Sequence, residues 1–229
     1  MKKILATILA VAMLATTFVG CGGGGDTAST PTDDGSAAAP EITACIGPEP
    51  ETLDPALNKS VDGACYAVHA FEGIYKFDEN GNTILGQAEK VDVSDDGLTW
   101  DITLRDDIKW SDGQPVTAQD FVYSWQRLAN PLTAADYCYM IDMVQGYAAV
   151  NAGEADPTTL GVSAPDESTF VVNLTYDCPY FLEICAFPAT FPVRQDMIEA
   201  AGGKPIPISD ENIAIMQDFV KNHYGQGKD

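Results

Sequence analysis

The stretch Val91-Asp-Val-Ser-Asp-Asp-Gly-Leu-Thr-Trp-Asp-Ile-Thr-Leu-Arg-Asp-Asp-Ile-Lys-Trp-Ser-Asp-Gly-Gln-Pro-Val-Thr-Ala-Gln-Asp-Phe-Val-Tyr-Ser-Trp-Gln-Arg127 reads as strand, turn, strand, turn and helix. Leu98, Trp100, Ile102 and Leu104 alternate with Thr99, Asp101 and Thr103. That period of two predicts a strand with one buried face. Asp95-Asp96-Gly97 supplies a tight turn before it, so residues 87–93 and 98–104 are expected to pair as a hairpin. Asp112-Gly113-Gln114-Pro115 is a second turn. Thr117 then caps a helix with Asp120 at the capping-box position. Ala118, Phe121, Val122, Trp125 and Leu128 form its apolar stripe, and Asn130-Pro131 ends it.

Outward from this block, residues 42–46 read as a short buried strand, and Pro48, Pro50 and Pro55 enforce extended backbone. A helix is expected over 61–74, with Ala64, Val68, Phe71 and Ile74 on one face. Residues 79–82 are a turn. Residues 136–152 should hold one helix carrying Tyr137, Tyr139 and Tyr147. Residues 167–174 read as a strand that buries Phe170, Val172 and Leu174. Pro179 opens a helix running to Cys185, and 193–201 and 212–223 are further helices, the last with a stripe of Ile215, Met216, Phe219 and Val220. Strands and helices mix without a strict βαβ rhythm. The fold class is α/β or α+β, and the order of strands in the sheet stays open.

The chain opens Met1-Lys2-Lys3, followed by an uncharged apolar run to Gly20. A basic start before a short apolar run predicts a secretory signal over residues 1–20; the competing reading is a membrane anchor at the lower edge of spanning length. Phe18-Val19-Gly20-Cys21 resembles a bacterial lipobox, which implies lipidation of Cys21 and anchoring by buried acyl chains. Residues 22–40 contain no aromatic, Leu, Ile or Val. They read as a flexible tether with a mean reach of about 25 Å. The folded part is thereby placed outside the cytoplasmic membrane, in the periplasm or at the cell surface.

With 12 Lys and Arg against 34 Asp and Glu, the net charge is −22. Such acidity argues against nucleic acid, whose phosphates need cations, and against docking on anionic lipid; the ordinary reading of the charge is solubility. Cys45, Cys65, Cys138, Cys178 and Cys185 follow Cys21. Export permits disulfides, but an odd number leaves at least one thiol over, and buried free cysteines are the favoured reading. His69 and His223 sit in no ligand-spaced cluster, so neither a metal nor another cofactor is expected.

Several motifs together resemble the family 5 extracellular solute-binding proteins of ABC importers. Gly47-Pro-Glu-Pro-Glu-Thr-Leu-Asp-Pro55 is similar to that family's first strand-to-turn, Phe71-Glu-Gly-Ile-Tyr75 to its helix-to-strand junction, and Asp96 to Arg127 to its signature block. Asn130-Pro131 through Tyr137, Leu160-Gly161-Val162 and Cys178-Pro-Tyr-Phe-Leu182 follow in the same order. The oligopeptide-binding branch is the most similar over 109–127. The resemblance implies a periplasmic-binding-protein-like, two-lobed fold of the large-ligand class, with residues 41–71 and 190–229 in a first lobe and 72–189 in a secondary lobe. It implies that Trp100, Trp110 and Trp125 build the core. Backbone groups of Lys59, Ser60 and Val61 and the side chain of Tyr137 would touch an extended peptide. Lys59 stands where the best-known member of that branch has an acid, a departure that bears on ligand charge.

The implied function is a monomeric, lipid-anchored receptor that captures oligopeptides and delivers them to the transmembrane subunits of an ABC permease, with no catalysis. A relative that binds dipeptides, nickel, haem or sugar is one alternative; an extracytoplasmic hydrolase or a non-transporting surface sensor is another. Glu49, Glu51 and Asp54 lie close in sequence, yet such acids are usually solvated. The similarity fades after Gly203, so the chain is expected to stop before the second lobe, to leave a lobe-facing surface uncovered, and not to bind peptide tightly by itself.

Overall fold

A computed structural model describes Thr43, Cys45 and residues 47–202. The expected strand over 42–46 and helix over 212–223, the leader and tether, and Cys21 lie outside the described residues. Six strands and five α-helices are named here in chain order: α1 (Val61–Ala70), β1 (Tyr75–Phe77), β2 (Thr83–Leu85), β3 (Ala88–Val93), β4 (Thr99–Leu104), α2 (Ala118–Ala129), α3 (Tyr147–Asn151), β5 (Val162–Ser163), β6 (Thr169–Asn173), α4 (Phe181–Cys185) and α5 (Gln195–Ala200).

The quoted block folds as its pattern predicts. β3 and β4 form the antiparallel hairpin, with a register shift between Ala88 and Lys90. Its turn needs Gly97, which takes φ 73°, a left-handed conformation that side chains disfavour. Asp96 accepts from the Ser94 hydroxyl at 2.6 Å and from the Leu98 amide at 3.1 Å. β4 pairs next with β6, placing Trp100 opposite Val172 and Ile102 opposite Phe170. With β5 added, the sheet order is β3-β4-β6-β5, antiparallel throughout. β1 and β2 make a separate hairpin around the expected 79–82 turn.

α2 lies across β5 and β6. Asp120 reaches back to accept from the Thr117 amide at 2.8 Å and from its hydroxyl at 3.1 Å, the return bond of a capping box. Its buried stripe includes the five residues expected from the sequence. Trp125 is fully buried. Its ring stands 5.4 Å from Phe170 and 6.1 Å from Phe181, both edge-on, while Trp100 packs at 4.7 Å on Phe181. Each such pair adds about 0.5–1.5 kcal/mol beyond the area it buries. Trp100 and Trp110 are only half-buried, packed against the core's edge.

Two expected helices come out differently. α1 stops at Ala70, and Phe71 is already extended. Gly73 explains the stop: a Cβ there would come within 2.6 Å of the Cys185 carbonyl and the Phe191 ring, so the chain must run straight through a tight crossing. Nor does the expected α1 face form, since its buried residues are Gly63 and Ala67 while Val68 is exposed. The single helix expected over 136–152 is a 3-10 turn (Cys138–Ile141) and the short α3, separated by Gly146 at φ 82°.

Candidate functional site

The Leu53-Asp54-Pro55 turn leads into the stretch 59–61 through a chain of local hydrogen bonds. The Asp54 carbonyl accepts from the amides of Leu57 (3.1 Å) and Asn58 (2.9 Å), and its carboxylate accepts from the Ala56 amide at 3.1 Å. Asn58 is buried. Its side-chain oxygen accepts from the Ser60 amide at 3.3 Å, and its amide group donates to the Ser60 carbonyl at 3.1 Å. Ser60 is extended, at φ −110° and ψ 151°, and its hydroxyl caps α1 by accepting from Gly63 N–H at 3.0 Å. Lys59 and Val61 are exposed, Val61 to 81%. Among the described residues, neither the Lys59 N–H nor its carbonyl has a backbone partner.

The whole turn is held from α2. Arg127 donates twice to the Asp54 carboxylate, at 2.9 and 2.5 Å, and both side chains are largely buried. Removing one partner of a buried pair costs about 3–5 kcal/mol. Their separation in sequence leaves no local pattern, and the sequence reading assigned neither residue to this pairing.

Tyr137 opens the 3-10 turn Cys138–Ile141. Its half-buried ring rests edge-on against Phe187 at 5.2 Å and tilted against the exposed Tyr139 at 6.1 Å. Upstream, Ala134 takes the left-handed region at φ 53°, an unusual state for a residue with a Cβ. Lys59 links the two stretches: its ammonium lies 3.8 Å from Glu51 and 4.0 Å from Asp136. These exposed, loose pairs contribute little energy, but they show that residue 59 and residues 136–137 share one rim.

Elsewhere the polar groups read as structural. The Tyr176 hydroxyl donates to Asp142 at 2.8 Å, and this bond pushes its pKa up to about 12. Burial pushes the Cys178 and Cys185 thiols up, the opposite of an activated nucleophile. His69 Nδ1 sits 2.7 Å from the Cys65 carbonyl one turn back in its own helix. All five cysteines from Cys45 onward are free. Among the described residues no group of three metal-donor side chains converges.

A cleft of about 780 Å³ opens between the end of α1 and residues 105–111, lined by Phe71, Gln87, Arg105, Trp110 and Phe191 among others. It contains none of Lys59, Ser60, Val61 and Tyr137. Gln87 is buried in its wall, and its side-chain oxygen has no hydrogen-bond partner among the described residues.

Comparison with known proteins bears on this arrangement. The model for "Bacterial extracellular solute-binding proteins, family 5 Middle" matches residues 83–214. The chain belongs to this family. It is 38% identical over 181 residues to the periplasmic oligopeptide-binding protein OppA of Escherichia coli, covering 77% of this chain and 33% of that one. It is 32% identical over 200 residues to the oligopeptide-binding protein OppA of Bacillus subtilis, covering 87% and 36%. Among solved structures, Haemophilus influenzae OppA in complex with RPPGFSPFR superposes at a TM-score of 0.66 with 36% identity, covering 73% of this chain and 33% of that one. The Escherichia coli murein tripeptide-binding protein MppA superposes at 0.64 with 38% identity, covering 66% and 30%. The family 5 chain thus spans about a third of the length of the curated relatives it matches, and its mixed α/β fold is that part of the periplasmic-binding-protein architecture.

Proposed function

We propose that this family 5 chain contributes one side of a peptide-binding cleft in an extracytoplasmic receptor, anchored by lipid on Cys21, that hands oligopeptides to an ABC permease without altering them. One observation carries the reading: the stretch 59–61, extended at Ser60 just before α1 and with the Lys59 backbone unpartnered among the described residues, shares a rim with the aromatic face of Tyr137. An extended peptide offers N–H and C=O groups at regular spacing. A receptor strand that pairs with them gains affinity that does not depend on the peptide's sequence, while an aromatic wall supplies apolar contact area. In this reading residues 41–71 and 190–229 belong to a first lobe and 72–189 to a secondary lobe. Closure of a further lobe over the rim would bury the ligand and signal occupancy. Similarity to proteins named for oligopeptide binding supports the peptide over other solutes.

Titration of the ¹⁵N-labelled 229-residue chain with tri- to pentapeptides, followed by amide shifts, tests this. The expected result is weak, saturable binding with shifts confined to residues 58–62 and 136–139, and peptides recovered intact. Shifts centred on the 780 Å³ cleft, or cleavage of the peptide, would overturn it.

A further inference from the structure

α2 fixes more than its own sheet. Within one turn, Trp125 Nε1 donates to the Thr190 carbonyl at 3.1 Å, the Ser124 hydroxyl accepts from the Val193 amide at 2.8 Å, and Arg127 grips Asp54. Both segments that flank residues 72–189 are therefore tied to one helix, itself clamped to the sheet by Phe121 and Trp125.

We infer that Arg127 is a positioning residue for the peptide-contacting stretch 59–61, acting through Asp54; the inference rests on the functional reading above. Asp54 is the origin of the hydrogen-bonded path to that stretch: its carbonyl orders Leu57 and Asn58, and Asn58 clamps Ser60 from both sides. Lys59, at the exposed end of the path, is restrained otherwise, among the described residues, by two loose ion pairs. The two-pronged grip fixes the orientation of the Asp54 carboxylate as well as its place, which a guanidinium fork does and a lysine ammonium does not. Through it, the stretch that would meet the ligand takes its orientation from the packed core.

The test uses amide exchange and peptide titration on the ¹⁵N-labelled chain carrying Arg127→Lys, Arg127→Met, or the exchange of charges Asp54→Arg with Arg127→Asp. In both single variants the amides of Leu57, Asn58 and Ser60 should exchange about 10-fold faster while those of β4 and β6 keep their rates. Peptide-induced shifts at 59–61 should fade while those at Tyr137 persist, and the charge exchange should restore part of the protection. Unchanged exchange at Leu57, Asn58 and Ser60 would overturn the inference. So would equal acceleration in β4 and β6, which would make Arg127 a general prop of the fold. If the unsubstituted chain shows no peptide-induced shifts, the functional reading fails, and the exchange rates still decide whether Arg127 positions this stretch.

Discussion

Gly63 shows how closely the 58–61 stretch is built. A Cβ at that position would lie 1.9 Å from the Asn58 side-chain oxygen, so a side chain there displaces the residue that clamps Ser60. Gly63→Ala gains up to about 1 kcal/mol of helix propensity but breaks the hydrogen bonds of a buried amide, costing about 1–3 kcal/mol. Net destabilisation is expected in urea unfolding. In an Asn58→Ala background the Ser60 hydroxyl oxygen, 3.1 Å from the added Cβ, is the close contact that remains, and the same substitution should destabilise less. An equal loss of stability in the two backgrounds would refute this account. The contact candidates Lys59, Ser60, Val61 and Tyr137 were legible only through family resemblance, because nothing local marks them. The Asp54–Arg127 pair was not legible at all: each residue taken singly is an ordinary surface charge, and only the fold brings the two together.

At the scale of elements, local pattern and outcome agree where one face of a strand or helix meets a continuous core. β6 and α2 do so, their alternation or stripe buried as expected, while in β4 Ile102 and Leu104 are buried and Leu98 and Trp100 only half-buried. α1 and the 136–152 segment do not, because Gly73 and Gly146 answer to close approach and to a left-handed turn instead of to periodicity. The turns carry a pH dependence. Asp166 accepts from the amides of Ser168 and Thr169, each at 2.8 Å, and from both hydroxyls. These bonds hold its carboxyl below the usual carboxylate range, as the bonds at Asp78 and Asp96 hold theirs. A folded pKa below the unfolded one means the turn stabilises the protein above about pH 4 and loses that contribution as pH falls through the folded value. The urea midpoint should therefore drop on acidification from pH 5, and Asp166→Asn should shallow that drop while leaving the hairpin intact. Identical acid limbs in the two proteins would refute the assignment.

At the scale of the molecule, apolar surface and charge oppose each other. Val68 and Phe77 border the cleft with about half their surface exposed, and exposed apolar patches tend to find partners. The body nonetheless carries most of a net charge of −22, so copies repel at low ionic strength. Salt at 0.1 M cuts the range of that repulsion to about 10 Å and at 1 M to about 3 Å, while burial of the two side chains depends little on salt. The chain without its apolar leader, residues 21–229, should then sediment as a monomer in dilute buffer and associate as sodium chloride is raised, with a parallel rise in the fluorescence of an apolar dye. Val68→Ser with Phe77→Ser should remove both effects without altering the circular dichroism of the sheet. Association that persists in this variant would place the adhesive surface elsewhere, and association that weakens with salt would show that ion pairs, not the rim of the cleft, hold the copies together.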